Sequence, residues 1–201
     1  MIPHPIRTWR RLRRSRRTFS PRIFEGRRTL DIGCGRRKLP GSLGLDSHAA
    51  PGVDVVADLN HCLPFKSEQF DAVNADQVLE HITNLPDLVR EIHRVLRPSG
   101  FLVAHVPYFR SSWAYIDPTH VRSFTLRSMD YFVLGSDLFE RYRFNEAGFL
   151  SAEAYLDSHR DVPAVRRICA ALALSRPDRF ENSFLSFLCP FELLTFVLRK
   201  P

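Results

Sequence analysis

The chain has 201 residues, a length that suits one hydrophobic core, and its 44% hydrophobic and 25% charged residues exclude disorder along the whole chain. No window approaches the ~18 to 20 uninterrupted apolar residues of a membrane-spanning helix, and the arginines at the start lack the apolar run of a secretory signal. An integral membrane protein and export by a signal peptide are therefore not expected, and the expected compartment is the cytoplasm. The formal charge of +7 is local: residues 1–28 hold ten arginines against one acid, Glu25, while the rest of the chain has 19 basic and 21 acidic residues. The expected organisation is an Arg-rich arm over residues 1–28 followed by a single domain over residues 29–201. Cys34, Cys62, Cys169 and Cys189 lie far apart with no C-x-x-C pair. That spacing predicts reduced thiols, with neither a disulfide framework nor a metal site.

Along the arm, Pro3, Pro5 and Pro21 leave room for at most one short helix, Thr8–Phe19. Thr29–Ile32 then reads as a strand running into Gly33-Cys34-Gly35, Leu43–Asp46 as a second strand ending in an acid, and Val53–Ala57 as a third, closed by Asp58-Leu59-Asn60. Arg36–Ser42, which contains Pro-Gly, is too short for a helical crossover and predicts a tight loop. Phe70–Val73 reads as a fourth strand. From Gln77 to Leu96 the apolar residues recur at three- and four-residue intervals, the pattern of an amphipathic helix divided at Asn84-Leu85-Pro86. Arg97-Pro98-Ser99-Gly100 stops it before a fifth strand, Phe101–Pro107. Farther on, Leu126–Leu134 is expected to be helical between Thr125 and Gly135, Glu146–Phe149 to be a helix-to-strand exit, and Leu150–Leu156 to be a strand. Residues 163–175 predict a helix and Leu193–Leu198 a last strand.

The chemistry concentrates at the strand ends. Glycines after the first strand let the backbone turn and a ligand approach the main chain. A dinucleotide fingerprint would place a third glycine where Lys38 stands, and Asp31 would put a carboxylate near the loop, repelling a pyrophosphate and attracting an ammonium or sulfonium. Asp46 can accept hydrogen bonds from a ribose diol, and Asp58 can receive an adenine amino group with Leu59 beside the ring. Each acid alone is more often a turn or cap residue. Three acids at three successive strand ends favour a cofactor cavity.

These residues resemble the class I S-adenosylmethionine-dependent methyltransferases, in the branch called methyltransferase type 11. Leu30–Gly35 is similar to the family's first motif, Gly44-Leu45-Asp46 to its ribose-binding acid and Asp58-Leu59 to its adenine-side pair. Phe70–Val73 through Val78-Leu79-Glu80-His81 resembles the fourth strand and the helix after it, and Arg94–Gly100 the R-V-L-K-P-G-G turn. The resemblance covers roughly residues 29–125. It implies a Rossmann-like, doubly wound α/β fold with a mostly parallel seven-stranded sheet, helices on both faces and an antiparallel last strand. It implies S-adenosylmethionine as cofactor, held by Asp31, Gly33, Cys34, Gly35, Asp46, Asp58 and Leu59, with Asp76 at the methionine end.

The resemblance also implies methyl transfer to an acceptor bound beyond the fifth strand. Asp117-Pro118-Thr119-His120-Val121-Arg122 lies there, with His120 a candidate base for a hydroxyl acceptor, Asp117 its orienting group and Arg122 available for an anion. The competing expectation is an Asp-Pro turn with His120 packing a loop. Glu80 and His81 are expected to be structural, and His105 a hydrogen-bonded core histidine. The acceptor stays open: a small molecule, an envelope glycan or a lipid-linked sugar, with peripheral membrane contact through the arm and the Phe-rich stretch Phe180–Phe191. An RNA methyltransferase docking through the arm, and an inactive nucleoside-binding module, are the alternatives. A nicotinamide dehydrogenase is a distant third. The arm also fits a solvated extension or a transit peptide.

Overall fold

A computed structural model describes residues 13–14, 19–143, 148–156, 164–189 and 191–201. The apolar runs read as strands pair side by side. The strands are β1 (Arg13–Arg14), β2 (Thr29–Ile32), β3 (Leu43–Asp46), β4 (Val55–Val56), β5 (Phe70–Asp76), β6 (Leu96–Pro107), β7 (Ser151–Leu156) and β8 (Leu193–Arg199). Their order in the sheet is β1-β7-β8-β6-β5-β2-β3-β4. The pairs of β2 with β3, β2 with β5, β3 with β4 and β5 with β6 are parallel, and β8 runs antiparallel between β6 and β7. Seven strands thus form the expected mostly parallel sheet, and two-residue β1 adds to its edge, parallel to β7. Arg13–Arg14 is extended where a helix over Thr8–Phe19 was expected; residues 8–12 and 15–18 lie outside the described residues.

The order reverses at β2, so the chain leaves β2 toward β3 on one side and later returns to pair β5 on the other. Ligand crevices of open parallel sheets form at such a switch point, outside the carboxyl ends of the strands. One face of the sheet carries the larger core. There α1 (Leu85–Val95) packs Leu88, Val89, Ile92 and Val95 against Leu30, Ile32, Val73 and Leu102, while Cys169, Ala173 and Leu174 of α4 (Ala164–Ser175) and Phe180 of α5 (Pro177–Glu181) fill its other end. Asn84 caps α1 by accepting from the Asp87 N–H, and Pro86 sits in the first turn, where no helical N–H is needed. The opposite face carries Ala72, Phe101, Val103 and Val197, covered by Phe19, Ile23 and Phe24 around a 3-10 helix, Pro21–Phe24.

Two expectations need correction, and a third lies partly outside the described residues. Cys169 and Cys189 are joined as a disulfide with Cα atoms 6.5 Å apart: α5 and α6 (Leu185–Leu188) fold the chain back across α4, a closure that a C-x-x-C search cannot see. Leu126–Leu134 contains only a 3-10 helix, Ser128–Phe132. Its side chains are held instead by Arg127, whose guanidinium bonds Asp130, Asp137 and Asp178. Of the exit expected at Glu146–Phe149, Glu146 and Ala147 lie outside the described residues, and Phe149 bridges to Val133. Among the described residues no helix is long and apolar enough to cross a membrane.

Candidate active site

A cavity of about 280 Å³ opens at the carboxyl ends of the parallel strands, lined by residues that include Gly33, Asp46, Asp58, Leu59, Gln77 and His81. Each wall follows from a strand end. Gly33 leaves β2 with φ +63°, and a Cβ there would lie 2.3 Å from Val78 Cγ2, so only glycine fits beside the β5 exit. The loop that follows replaces the usual crossover helix. Lys38 lays its stem across Gly44, where a Cβ would lie 2.6 Å from Lys38 Cδ, and its ammonium reaches Asp54 Oδ2 at 2.8 Å. The same carboxylate oxygen accepts from the Gly44 N–H at 2.7 Å.

Asp31 anchors this loop from below. It is 3% exposed; Oδ2 accepts from the Leu39 N–H and Oδ1 from the Asn74 side-chain amide, each at 2.7 Å. Burial raises its pKa. Its role is thus to tie β2, β5 and the loop together rather than to face the cavity. Cys34 is likewise buried, its N–H bonded to the Leu45 carbonyl at 3.2 Å, and burial pushes its thiol pKa up.

Asp46 is preorganised at the end of β3. Oδ2 accepts from the Gly35 N–H at 2.9 Å and Oδ1 from the His48 N–H at 3.1 Å and the Ser47 hydroxyl at 3.4 Å; Oδ2 keeps a lone pair for a diol, and Oδ1 can take a second hydroxyl in place of Ser47. Asp58, past β4, accepts from the Asn60 N–H at 2.9 Å, and that bond holds its carboxyl below the usual range. Leu59 is 7% exposed and supplies an apolar wall. Asp76 ends β5 exposed to solvent. The next residue, Gln77, has φ 55°, a left-handed conformation in a non-glycine residue, secured by its N–H to the His105 carbonyl at 2.9 Å.

Of the expected cofactor residues, Gly33, Asp46, Asp58 and Leu59 line the cavity, while Asp31, Cys34, Gly35 and Asp76 stand behind or beside it. Sequence reasoning missed Gln77, whose strained backbone has no sequence signal, and gave His81 a structural role. Yet His81 lines the cavity, and its Nδ1 lies 2.9 Å from Thr119 Oγ1.

The segment after β6 comes to the same mouth with different pairings from those expected. Asp117 does not orient His120. Its Oδ1 accepts from the Thr119 N–H at 2.8 Å and from the Thr119 hydroxyl at 2.6 Å, bonds that lower its pKa, so it acts through Thr119 on His81. His120 follows an Asp-Pro turn, its N–H on the Asp117 carbonyl at 3.3 Å. The ring Nδ1 lies 3.3 Å from the Ala114 carbonyl, and the ring meets His81 edge to face at 4.7 Å. Arg122 turns Nη2 to the carbonyls of Ile82 and Thr83, and its buried Nε has no hydrogen-bond partner. Glu80, just before His81, is 1% exposed, and both its carboxylate oxygens lack hydrogen-bond partners. Burial, with repulsion from Asp76 and Asp117, pushes its pKa up to about 7. His105 sits in β6 with Nδ1 2.7 Å from Thr195 Oγ1, as a core histidine should.

Residues 39–104 match the family model described as "Methyltransferase domain". A mitochondrial ubiquinone biosynthesis O-methyltransferase of Rattus norvegicus is 30% identical over 104 residues, which are 39% of this chain and 30% of that protein. A mitochondrial arginine-hydroxylase, NDUFAF5 of Danio rerio, is 30% identical over 105 residues, 41% of this chain and 32% of that protein. The matched region thus spans about a third of the length of these curated relatives. A solved S-adenosylmethionine-dependent methyltransferase of Archaeoglobus fulgidus superposes with TM-score 0.58 at 19% identity, covering 88% of both chains. The phosphoethanolamine N-methyltransferase 2 of Haemonchus contortus, in complex with S-adenosyl-L-methionine, also gives 0.58 at 16% identity, covering 90% of this chain and 51% of that one. The fold is that of the class I methyltransferases.

Proposed function

We propose that this chain, which has the fold of the class I methyltransferases and matches a methyltransferase domain over residues 39–104, transfers a methyl group from S-adenosylmethionine to a hydroxyl of an apolar or lipid-linked acceptor. The observation that carries the cofactor half is the preorganised Asp46 carboxylate beside Asp58 and Leu59 in one cavity. These groups fit the nucleoside of S-adenosylmethionine: a diol acceptor, an acceptor for an exocyclic amine and an apolar wall. When bound, that cofactor supplies an electrophilic methyl group on a sulfonium. The cavity's position outside the strand ends serves proximity, since holding two reactants in line supplies much of the rate in such a transfer. The acceptor oxygen would reach the mouth beside His81 and His120, where its proton passes to an imidazole nitrogen or to solvent as the O–CH₃ bond forms and the S–CH₃ bond breaks.

What supports a greasy acceptor is exposed apolar surface, part of it beside that mouth. Trp113, Tyr115 and Ile116 of α2 (Trp113–Ile116) are more than half exposed, as are Phe184, Phe187 and Leu188 around α6. α2 touches His120 through the Ala114 carbonyl. Large apolar side chains in such a cluster mark a binding surface rather than ordinary surface scatter. The Cys169–Cys189 bond bears on the compartment: thiol mapping of protein from intact cells that recovers this bond would place the chain in an oxidising compartment, and recovery of two free thiols would favour the cytoplasm.

Calorimetric binding of S-adenosylmethionine and S-adenosylhomocysteine to the wild type and to Asp46→Ala tests the cofactor half. Both ligands should bind the wild type, and affinity should collapse in the variant. Absence of binding by folded wild type would overturn the proposal.

A further inference from the structure

The methyl-transfer reading uses the imidazoles at the cavity mouth but leaves Glu80 unexplained. A carboxylate 1% exposed with neither oxygen hydrogen-bonded is costly, and in folded proteins such a group is paired, protonated or bound to a cation. Among the described residues, Glu80, His81 and His120 bring one ligand-capable atom each to within 4.8 Å of one another. Metal-to-ligand distances near 2.0–2.2 Å put neighbouring donors roughly 3–3.5 Å apart, so a small closure of the three side chains makes a site.

The surrounding hydrogen bonds set the chemistry of the two rings. The Ala114 carbonyl can only accept, so the neutral His120 ring carries its proton on Nδ1 and has Nε2 as its acceptor. Asp117 Oδ1 can only accept from Thr119, so the Thr119 hydroxyl donates to it and accepts from His81 Nδ1. The neutral His81 ring therefore also carries its proton on Nδ1 and has Nε2 as its acceptor. This Asp117–Thr119–His81 chain has the form of the outer groups that orient a metal-bound imidazole and raise its basicity. Backbone bonds lock the parts together: the Val121 N–H donates to the Glu80 carbonyl at 2.9 Å, tying the segment of His120 to that of Glu80.

We propose that Glu80, His81 and His120 form a divalent-cation site at the cavity mouth, which binds the acceptor's hydroxyl oxygen. Two imidazoles and one carboxylate suit zinc or another first-row transition ion better than magnesium or calcium, which prefer all-oxygen shells. Three protein ligands leave positions open for the acceptor. The role, though not the ion binding, rests on the methyl-transfer reading. On coordination the hydroxyl loses its proton to solvent and becomes the nucleophile. His120 is then a ligand rather than the base, and the oxygen takes the methyl group as the carbon–sulfur bond breaks.

The test uses the full, tag-free chain stripped by a chelator and titrated with zinc chloride and, separately, with cobalt chloride. Calorimetry and the visible cobalt bands report on the ion, and S-adenosylmethionine binding is measured on the same samples. The expected result is saturable binding of about one ion per chain, weakened at least about tenfold by Glu80→Gln and by His120→Ala, with S-adenosylmethionine affinity unchanged. His120 is partly exposed and outside the core, so its variant answers the question should Glu80→Gln perturb folding. Absence of saturable binding, or binding that both variants keep, overturns the site. Ion binding without S-adenosylmethionine binding would instead remove the cofactor reading and leave the site standing.

Discussion

Gly33→Ala tests the join between the first strand and the cavity. A Cβ at this position meets Val78 Cγ2 at 2.3 Å, and φ +63° places the new side chain in the left-handed region. The second effect costs an L-residue about 1–2 kcal/mol. Overpacking against a buried valine adds about 1–3 kcal/mol, so the variant should lose roughly 2–5 kcal/mol. The two parts separate in a double-mutant cycle. In a Val78→Ala background the two Cγ contacts are gone and only the 3.3 Å approach to Cβ and the backbone part remain, so Gly33→Ala should cost about 1–2 kcal/mol less there than in the wild type. Urea unfolding of the four proteins gives the cycle, and calorimetry with S-adenosylhomocysteine follows the cavity, since Gly33 and Val78 both line it. An equal cost in both backgrounds would show that the Val78 contact does not set the glycine requirement. A cost near zero would refute the left-handed turn itself.

Asp31→Asn should destabilise by about 1–3 kcal/mol, because its two oxygens both accept and an amide turns one of them into a donor facing a donor; exchange of the Leu39 amide should quicken with it. Arg127→Ala should cost on the order of 2–3 kcal/mol in urea unfolding, since it leaves Asp130, Asp137 and Asp178 facing one another around a site that is only one-fifth exposed. Glu181, which accepts from Tyr108 OH at 3.1 Å and from the Leu126 N–H at 2.8 Å, has its pKa raised by burial. Its protonated form is the one the fold favours, so its stabilisation is full below the ordinary carboxylate pKa and is lost as pH rises through the elevated one. Glu181→Gln keeps both acceptor bonds on its carbonyl and should flatten that decline in unfolding free energy; an unchanged pH profile would count against it.

The sheet was legible because its signals are local. Leu30–Ile32, Leu43–Leu45 and Phe70–Val73 are apolar runs bounded by glycine or acid, and a strand buried on both faces needs little else. Asp46 was legible as a cavity acid because a strand end fixes where its last side chain points, and Asp58 because it follows β4 by two residues. The pairings after β6 were not. Asp117 and His120 are three residues apart in the chain, which suggests a couple, but the Asp-Pro turn sends the carboxylate back to Thr119 and leaves His120 against Ala114. The Cys169–Cys189 bond and the approach of Glu80 to His120 depend on how helices and loops stack over twenty to forty residues. No periodicity records that distance.

The acids at the strand ends divide into two kinds, and the division bears on the ligand. Asp31 and Glu80 are buried, which raises their pKa values; Asp46 and Asp58 face the cavity with their carboxylates held by backbone N–H groups. Asp76 stands exposed between them and close enough to both buried acids to raise their pKa values further. A pyrophosphate entering this end of the sheet would meet three carboxylates, with the loop's cation, Lys38, already committed to Asp54. An adenosine joined to a sulfonium and an ammonium meets the same charges as attraction, and the ribose and the adenine amine each have an acceptor in place. The same excess of negative charge favours a divalent ion at Glu80, so cofactor and cation would be drawn to neighbouring points by one field, with His81 standing on the wall between them.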